Sequence, residues 1–569
     1  MAADETIDEL LANAGVDALR LRAALTLITG DRWWTLAELV RETATSRRTV
    51  EALLRALPVE RSGDRVRLPA AGFNEPVPPD ISDLGNPVAG LVHRYADVLA
   101  RLEELIAAAP RARSSLDHVS ATAETVLRRA LLLGRRFWLP GARLLCVGDH
   151  DLTSLAVRMI HPEVEVAVAD IDDRILAHID AQDLGVHTRW ADLRLGLPAS
   201  LRGWADLAIT DPPYTPDGVG LFTARAAEGL RDRDQGRILL AYGASERTPM
   251  LALKVQKALS DLNLLSEAIF PDFNRYHGAE AIGSAADLYI LRPTTKTWPA
   301  VAARVDRLAT AIYTQGPQAV ESAVRPAPKS GAESGAGSGA ESGAARSEDL
   351  AEGRAKERAE DEAADTAEGL AAFGPGLLVG DWPREVLPSV PRMRLSTWLA
   401  RPHAADPERV AVAVPAGLEG ALPRLLLATR ARHVRAVLAA PAKEPSSVVP
   451  AAVSPGLSSV LSSVLSSVLS SVYELGGRGR VIDAVRLPPP DDPAGRVLRR
   501  IMDSAHGKVA NAWREGLTDV SGLTRKQARA AVTEAAPWAG DVSLLELPLH
   551  RLGEIGAAVR RTLDMAAAV

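Results

Sequence analysis

The stretch Leu144-Leu145-Cys146-Val147-Gly148-Asp149-His150-Asp151 decides the fold of the central part of this chain. In it an apolar run of strand length stops at a glycine and is followed by acids. The same form recurs downstream. Val164 to Ala169 ends at Asp170, Asp206 to Thr210 ends at Asp211, and Arg237 to Tyr242 makes a fourth run. Amphipathic helical patterns separate the runs. Buried apolar strands alternating with helices are the sequence form of a doubly wound parallel sheet. Ligands of such sheets bind beyond the carboxyl ends of the strands, which is where these acids fall.

Outward from this core, residues 1–75 read as helices followed by a strand pair. Thr35 to Val40 opens one helix, and Ser46 to Leu54 opens another with Ser46 as its N-cap. Val59 to Leu68 alternates around a Ser-Gly-Asp turn and predicts a hairpin. Helix, turn, helix and hairpin together predict a winged-helix-like domain. Arg47 and Arg48 are its candidate DNA contacts; the alternative is a module that kept the fold for packing or for dimerisation, with a homodimer as one outcome. Residues 76–114 read as a Pro-rich linker (Pro76 to Pro87) and a helix, and residues 115–300 as the α/β domain. Residues 301–370 read as a helix and a linker, in which Ser330 to Ala345 repeats Ser, Gly, Ala and Glu before a charged run. Residues 371–569 predict an α-rich α/β region of unassigned role, with strands at Arg409 to Val414 and Val434 to Ala439. Leu457 to Val472 repeats Ser-Ser-Val-Leu and reads as a loop.

Composition narrows the functions. The chain has 569 residues, is 47% hydrophobic and 24% charged, and carries a formal net charge of −6. These values exclude collagen-like and wholly disordered classes and argue against a broad basic surface for nucleic acid. The lone Cys146 rules out an intrachain disulfide and fits a reducing compartment. The acidic N-terminus is not a signal peptide, and no apolar run approaches membrane length, so the expectation is a cytoplasmic protein with no membrane partner. The histidines lack paired metal-ligand spacing, so no metal is expected.

The acids define the candidate chemistry. A dinucleotide-binding turn is glycine-rich, so that backbone N–H groups reach a phosphate. The turn Gly148-Asp149-His150-Asp151 instead places two carboxylates there, which repel an anion and attract an amine. One of them suffices to cap the next helix; the second needs another reason. Asp170 or Asp172, beyond the second strand, suits the hydroxyls of a ribose. Asp192 sits where an adenine amino group is read, with an ion pair to Arg194 as the alternative. Asp211-Pro212-Pro213-Tyr214 follows the third strand. Its prolines stiffen the loop and hold Asp211 and Tyr214 beside a ligand, as in the amine-handling loop of many N-methyltransferases. Phe270 to Glu280, with Asp272 and Glu280, is a further candidate lining of the amine site.

These motifs resemble those of the branched-chain polyamine synthases, the N4-bis(aminopropyl)spermidine synthases. The family's Gly-Asp-Asp-Asp loop matches Gly148 to Asp151, its strand-end acids match Asp170 and Asp172, and its Asp-Pro-Pro-Tyr loop matches Asp211 to Tyr214. Leu116-Asp117-His118 and Thr122 to Thr125 also look like the family's entry to the domain. The resemblance covers about residues 20–295. It implies a winged-helix-like domain before a Rossmann-like, methyltransferase-type domain. It also implies transfer of an aminopropyl group from decarboxylated S-adenosylmethionine, a co-substrate rather than a tightly bound cofactor, to a spermidine-like polyamine, with release of methylthioadenosine. An acid of the Gly-Asp-Asp-Asp loop is then the proton acceptor. His150 stands in its middle position, where a neutral imidazole still accepts a proton but one negative charge is lost.

Two other functions fit parts of this pattern. Asp-Pro-Pro-Tyr and the fold alone allow an S-adenosylmethionine-dependent N-methyltransferase, although the turn at Gly148 lacks the Gly-x-Gly that tolerates a methionine carboxylate. A non-catalytic winged-helix regulator is the reading from another class.

Overall fold

The computed structural model describes residues 7–14, 18–69, 86–315, 368–439 and 463–567. Most of the Pro76 to Pro87 linker, the Ser330 to Ala345 repeat and nearly all of the charged run after it lie outside these residues. The chain divides into two units: Met1–Val320 with Glu546–His550, and Glu321–Leu545 with Arg551–Val569.

The first unit opens with α1 (Ile7–Ala14), α2 (Ala18–Ile28), β1 (Trp34–Thr35), α3 (Leu36–Thr43), α4 (Arg47–Arg55), β2 (Glu60–Ser62) and β3 (Arg65–Arg67). Thr35 and Glu38 make a reciprocal capping box that starts α3 directly from β1. Ser46 occupies the N-cap of α4, but its hydroxyl meets Thr49 Oγ1 at 2.9 Å and caps no helical N–H. β1 and β2 both pair antiparallel with β3. Leu25, Ile28, Leu39, Val50 and Leu53, all buried, form the core under this small sheet.

Next come α5 (Ala89–Val92), α6 (Ala96–Ala108) and α7 (Ala123–Arg136). The main sheet follows: β4 (Arg143–Val147), α8 (Thr153–Ile160), β5 (Glu165–Asp170), α9 (Asp173–Asp180), β6 (Val186–Trp190), β7 (Leu207–Thr210), α10 (Pro216–Gly229), β8 (Arg237–Tyr242), α11 (Pro249–Asp261), β9 (Leu265–Arg275), β10 (Ala285–Arg292) and α12 (Thr297–Asp306). Its order is β6-β5-β4-β7-β8-β10-β9. The strands from β6 to β8 are parallel, and β10 and β9 close the edge antiparallel. This is a methyltransferase-type doubly wound sheet. β4 lies at its centre, between β5 and β7, and Cys146 on it is fully buried. The strand order reverses at β4, from which the chain leads to β5 on one side and to β7 on the other, so a crevice opens at the carboxyl ends of these strands.

Phe270 to Glu280 begins as a strand, because β9 runs through Arg275. Pro271 and Asp272 interrupt the alternation, and Asp272 takes a positive φ of 51°. The pairing of β9 with β10 slips in register at two places, which hides the strand from a period-two reading.

In the second unit β11 (Leu377–Val379), β12 (Arg392–Met393), β13 (Arg409–Val414), β14 (His433–Leu438), β15 (Tyr473–Arg478) and β16 (Val481–Arg486) form one sheet in the order β12-β11-β13-β14-β16-β15. Helices Pro493–Met502, Val509–Ser521 and Arg525–Ala535 follow, and the helix Leu549–Ala567 belongs to this unit from Arg551 on. Ser463–Ser470 is helical, which corrects the loop expectation for that part of the repeat. A four-residue period stays close enough to 3.6 over two turns to keep one apolar side, and Leu469 on that side is buried.

Candidate active site

A cavity of about 390 Å³ lies at the carboxyl ends of β4, β5, β7 and β8. Gly148, Asp149, His150, Asp151, Asp170, Asp192, Asp211 and Tyr214 all line it. Gly148 makes the sharp exit from β4 at a φ of 74°, a conformation that glycine adopts without strain.

The acidic turn has more internal structure than its sequence suggests. Asp149 is 3% exposed and accepts the N–H of Ser154 in the first turn of α8 at 3.2 Å. It therefore does the capping work while also lining the cavity. Burial, opposed by those Ser154 bonds and reinforced by Asp151 and Asp170, pushes its carboxyl up to about 8. Asp151 accepts from the N–H of Ala121 at 2.9 Å and from Arg129 Nη1 at 2.8 Å. His150 stacks on His118, ring centroids 4.2 Å apart and planes within 18°. Burial lowers both imidazoles, His118 to about 3, so the pair is neutral at neutral pH. The Nδ1 atoms of both rings are buried without a hydrogen-bond partner.

Asp211 follows β7, and three donors fix its carboxylate. Tyr214 donates to Oδ1 at 2.9 Å, while Tyr276 and Arg129 donate to Oδ2 at 2.7 and 2.6 Å. Burial raises the acid to about 6 against the lowering effect of Arg129. The loop ends where Thr215 accepts the N–H of Gly218 and Pro216 starts α10.

Arg129 is the residue that sequence reasoning missed. It is 2% exposed, reaches Asn274 Oδ1 at 2.8 Å, and bridges Asp151 to Asp211. A signal was present. Arg129 lies three residues after Val126 and four before Leu133, on the apolar stripe of α7, where an unpaired arginine is not tolerated. Tyr276 lay within the segment that was singled out, whereas the named acids of that segment point elsewhere. Asp272 pairs with Arg20 at 2.8 Å and Glu280 pairs with Arg47. Neither lines the cavity.

On the other side, Asp170 accepts the N–H groups of Asp149 and Asp172 at 2.9 and 2.7 Å, and burial raises it to about 6. Asp172 does not line the cavity. It caps α9 through the N–H of Arg174 and holds that residue's guanidinium at 2.5 Å. Asp192 does line the cavity, but its carboxylate grips Arg194 at 2.7 and 2.9 Å, the ion-pair alternative for this residue. Thus Asp149, His150, Asp151, Asp211 and Tyr214 surround one space, with Asp170 beside them.

Comparison with known proteins gives a consistent family signal. Residues 97–324 match the family model described as the branched-chain polyamine synthase A C-terminal domain. An uncharacterized protein of Methanocaldococcus jannaschii is 37% identical over 195 residues, covering 33% of this chain and 49% of that protein. The N(4)-bis(aminopropyl)spermidine synthase of the same organism is 30% identical over 190 residues, covering 32% of this chain and 53% of the synthase. The chain therefore spans about half the length of the curated relatives it matches. A solved structure of the branched-chain polyamine synthase from Thermus thermophilus, in complex with N4-aminopropylspermidine and 5'-methylthioadenosine, is 22% identical. It covers 50% of this chain and 90% of its own, with a TM-score of 0.39.

Proposed function

Residues 97–324 of this chain belong to the branched-chain polyamine synthase family, and on that premise we propose that the first unit transfers an aminopropyl group from decarboxylated S-adenosylmethionine to an amine of polyamine type. The observation that carries the reading is the turn after β4. Where a methionine carboxylate needs free N–H groups, this turn presents Asp149 and Asp151. A donor that has lost its carboxylate and kept its cationic amine suits that turn. At 4 Å and an effective dielectric near 20, one such charge contact is worth about 4 kcal/mol before desolvation. Asp170 is the ribose partner in this reading.

In the reaction the acceptor ammonium first gives up a proton, and the freed lone pair of its nitrogen attacks the carbon next to the sulfonium. A C–N bond forms, the C–S bond breaks, and its electron pair neutralises sulfur to give methylthioadenosine. The product nitrogen keeps the positive charge that sulfur gives up, so the proton to be placed is the one lost by the acceptor before attack. Asp211, oriented by Tyr214, Tyr276 and Arg129, holds the acceptor nitrogen. Burial keeps Asp149 protonated in the empty site; the cationic amine of the bound donor favours its ionised form, which then takes the proton. His150 is neutral and contributes lone pairs rather than charge. Residues 1–75 act as a winged-helix-like bracing module. Arg47, one of its two candidate DNA contacts, is engaged by Glu51 and Glu280.

Competition for binding tests the reading. Decarboxylated S-adenosylmethionine is expected to displace S-adenosylmethionine, and aminopropylated amine to be the product. Tighter binding of the carboxylated donor, with methylated amine formed, would replace this reading with an N-methyltransferase.

A further inference from the structure

We propose that the acceptor side of this cavity selects a short amine with one or two cationic nitrogens over a linear polycation with three or more. This rests on the aminopropyl-transfer reading. The strand order fixes which side is meant. The donor acids stand at β4 and β5, Asp211 stands at β7, and the wall beyond it comes from the ends of β8 and the β9–β10 connection.

That wall includes Ser245, Thr248, Leu251, Ala279, Ala281 and Ile282. Among the described residues it holds no carboxylate. Three acids carried by these segments turn to the N-terminal helices, and Asp287 on β10 accepts the N–H of Asp272 at 2.9 Å. Glu246, next to Ser245, accepts from Thr49 Oγ1 at 2.8 Å. Glu280, between Ala279 and Ala281, is taken by Arg47. Asp272 on β9 is taken by Arg20 at 2.8 Å. The contact is close: Gly283, at a φ of 75°, lies so near Ala44 that a Cβ there would sit 2.6 Å from its carbonyl. The two acids at the reacting end, Asp151 and Asp211, share the charge of Arg129.

Alkylammonium groups stay protonated at neutral pH, near the lysine pKa of about 10.4. A third cationic nitrogen, farther along a linear polyamine, therefore meets Leu251 and Ile282 with no counter-charge and loses hydration without replacement. Methylene groups fit the same wall.

The experiment uses the full chain. Calorimetry first measures binding of decarboxylated S-adenosylmethionine. Methylthioadenosine release is then followed with 1,3-diaminopropane, butane-1,4-diamine, spermidine and spermine. The diamines are expected to exceed spermidine in kcat/KM by about tenfold or more. In Arg47→Ala, which frees Glu280 and alters only a half-exposed side chain, spermidine is expected to gain about threefold or more in kcat/KM. The diamine values and donor affinity should stay within about twofold. Donor binding with spermidine or spermine as the best acceptor would overturn the inference and leave aminopropyl transfer standing. No gain for spermidine in Arg47→Ala would overturn the masking of the acids. Failure of the donor to bind would strike the transfer reading itself.

Discussion

Apart from its edge strand β6, the sheet between residues 143 and 292 runs β5-β4-β7-β8-β10-β9, and between residues 377 and 486 the strands run β12-β11-β13-β14-β16-β15. Taken in that order the two series correspond strand for strand, with a parallel run closed by an antiparallel hairpin. The correspondence reaches the first turn. β4 exits through Gly148-Asp149 and β11 through Gly380-Asp381, both glycines at positive φ, 74° and 92°. Beyond that point the regions part. The first sheet places the helix α8 after its Gly-Asp turn, which buries Asp149, whereas loop 380–391 leads from β11 to β12 and Asp381 is exposed. β7 is followed by Asp211-Pro212-Pro213-Tyr214, and β13 by Pro415-Ala416-Gly417. A sheet and a glycine turn thus supply a location. Buried carboxylates, and a buried cation to hold them, make that location chemical.

The sharpest test of the contrast is Asp211→Asn, which keeps shape and removes charge. Turnover should fall by about a hundredfold or more, the scale of a positioned acid–base group, with donor affinity little changed in calorimetry. A near wild-type rate would reduce the Asp-Pro-Pro-Tyr loop to the structural standing of Pro415 and its neighbours.

Arg129→Met comes next in size. It strands Asp151 and Asp211 without their shared cation, and removing one partner of a buried pair costs about 3–5 kcal/mol. The denaturation midpoint of the first unit should drop accordingly, and Asp151→Asn/Asp211→Asn in the same chain should recover part of the loss.

A smaller effect concerns pH. Asp149 binds its proton more tightly folded than unfolded, about 8 against an ordinary 3.8. Its contribution to stability is complete below the unfolded value and is lost as pH rises through about 8. Denaturant midpoints at about pH 5 and about pH 8.5 should therefore differ more in the wild type than in Asp149→Asn. An equal slope in both proteins would mean that Asp149 is not held protonated by burial.

The smallest expected effect is none. Asp381→Ala should leave donor affinity and turnover unchanged, while Asp149→Ala weakens the donor. Comparable losses in the two would show that the second sheet also holds a site.

How legible the molecule was in its sequence follows from the same contrast. β4, β5, β7 and β8 were readable because each is an uninterrupted apolar run; β5 and β7 stop at an acid and β4 at Gly148 followed by Asp149. The second sheet yielded only β13 and β14. Its other strands are very short or, like Tyr473-Glu474-Leu475-Gly476-Gly477-Arg478, carry glycines in place of apolar residues. Asp149, Asp151 and Asp211 were legible by position, but their partners were not. Arg129 comes from a helix that precedes the sheet and Tyr276 from an edge strand that follows it, and spacing along the chain holds no record of such meetings. Asp172 and Asp192 illustrate the opposite limit. Each is followed two residues later by an arginine that occupies it, and a local pair of that kind looks the same in sequence whether it binds a ligand or closes on itself.

Cys146 gives the central strand a practical use. The thiol is fully buried on β4, one residue before the strand's last position, and burial drives its pKa well above the ordinary range. Thiolate is the species that alkylating reagents capture, so the native protein should be inert to iodoacetamide and need no reductant in storage. As the chain's single sulfhydryl, it is also a built-in clock. The rate at which it becomes labelled reports how often the strand beneath the acidic turn opens to solvent, and a bound donor should slow that rate without a probe having to be introduced.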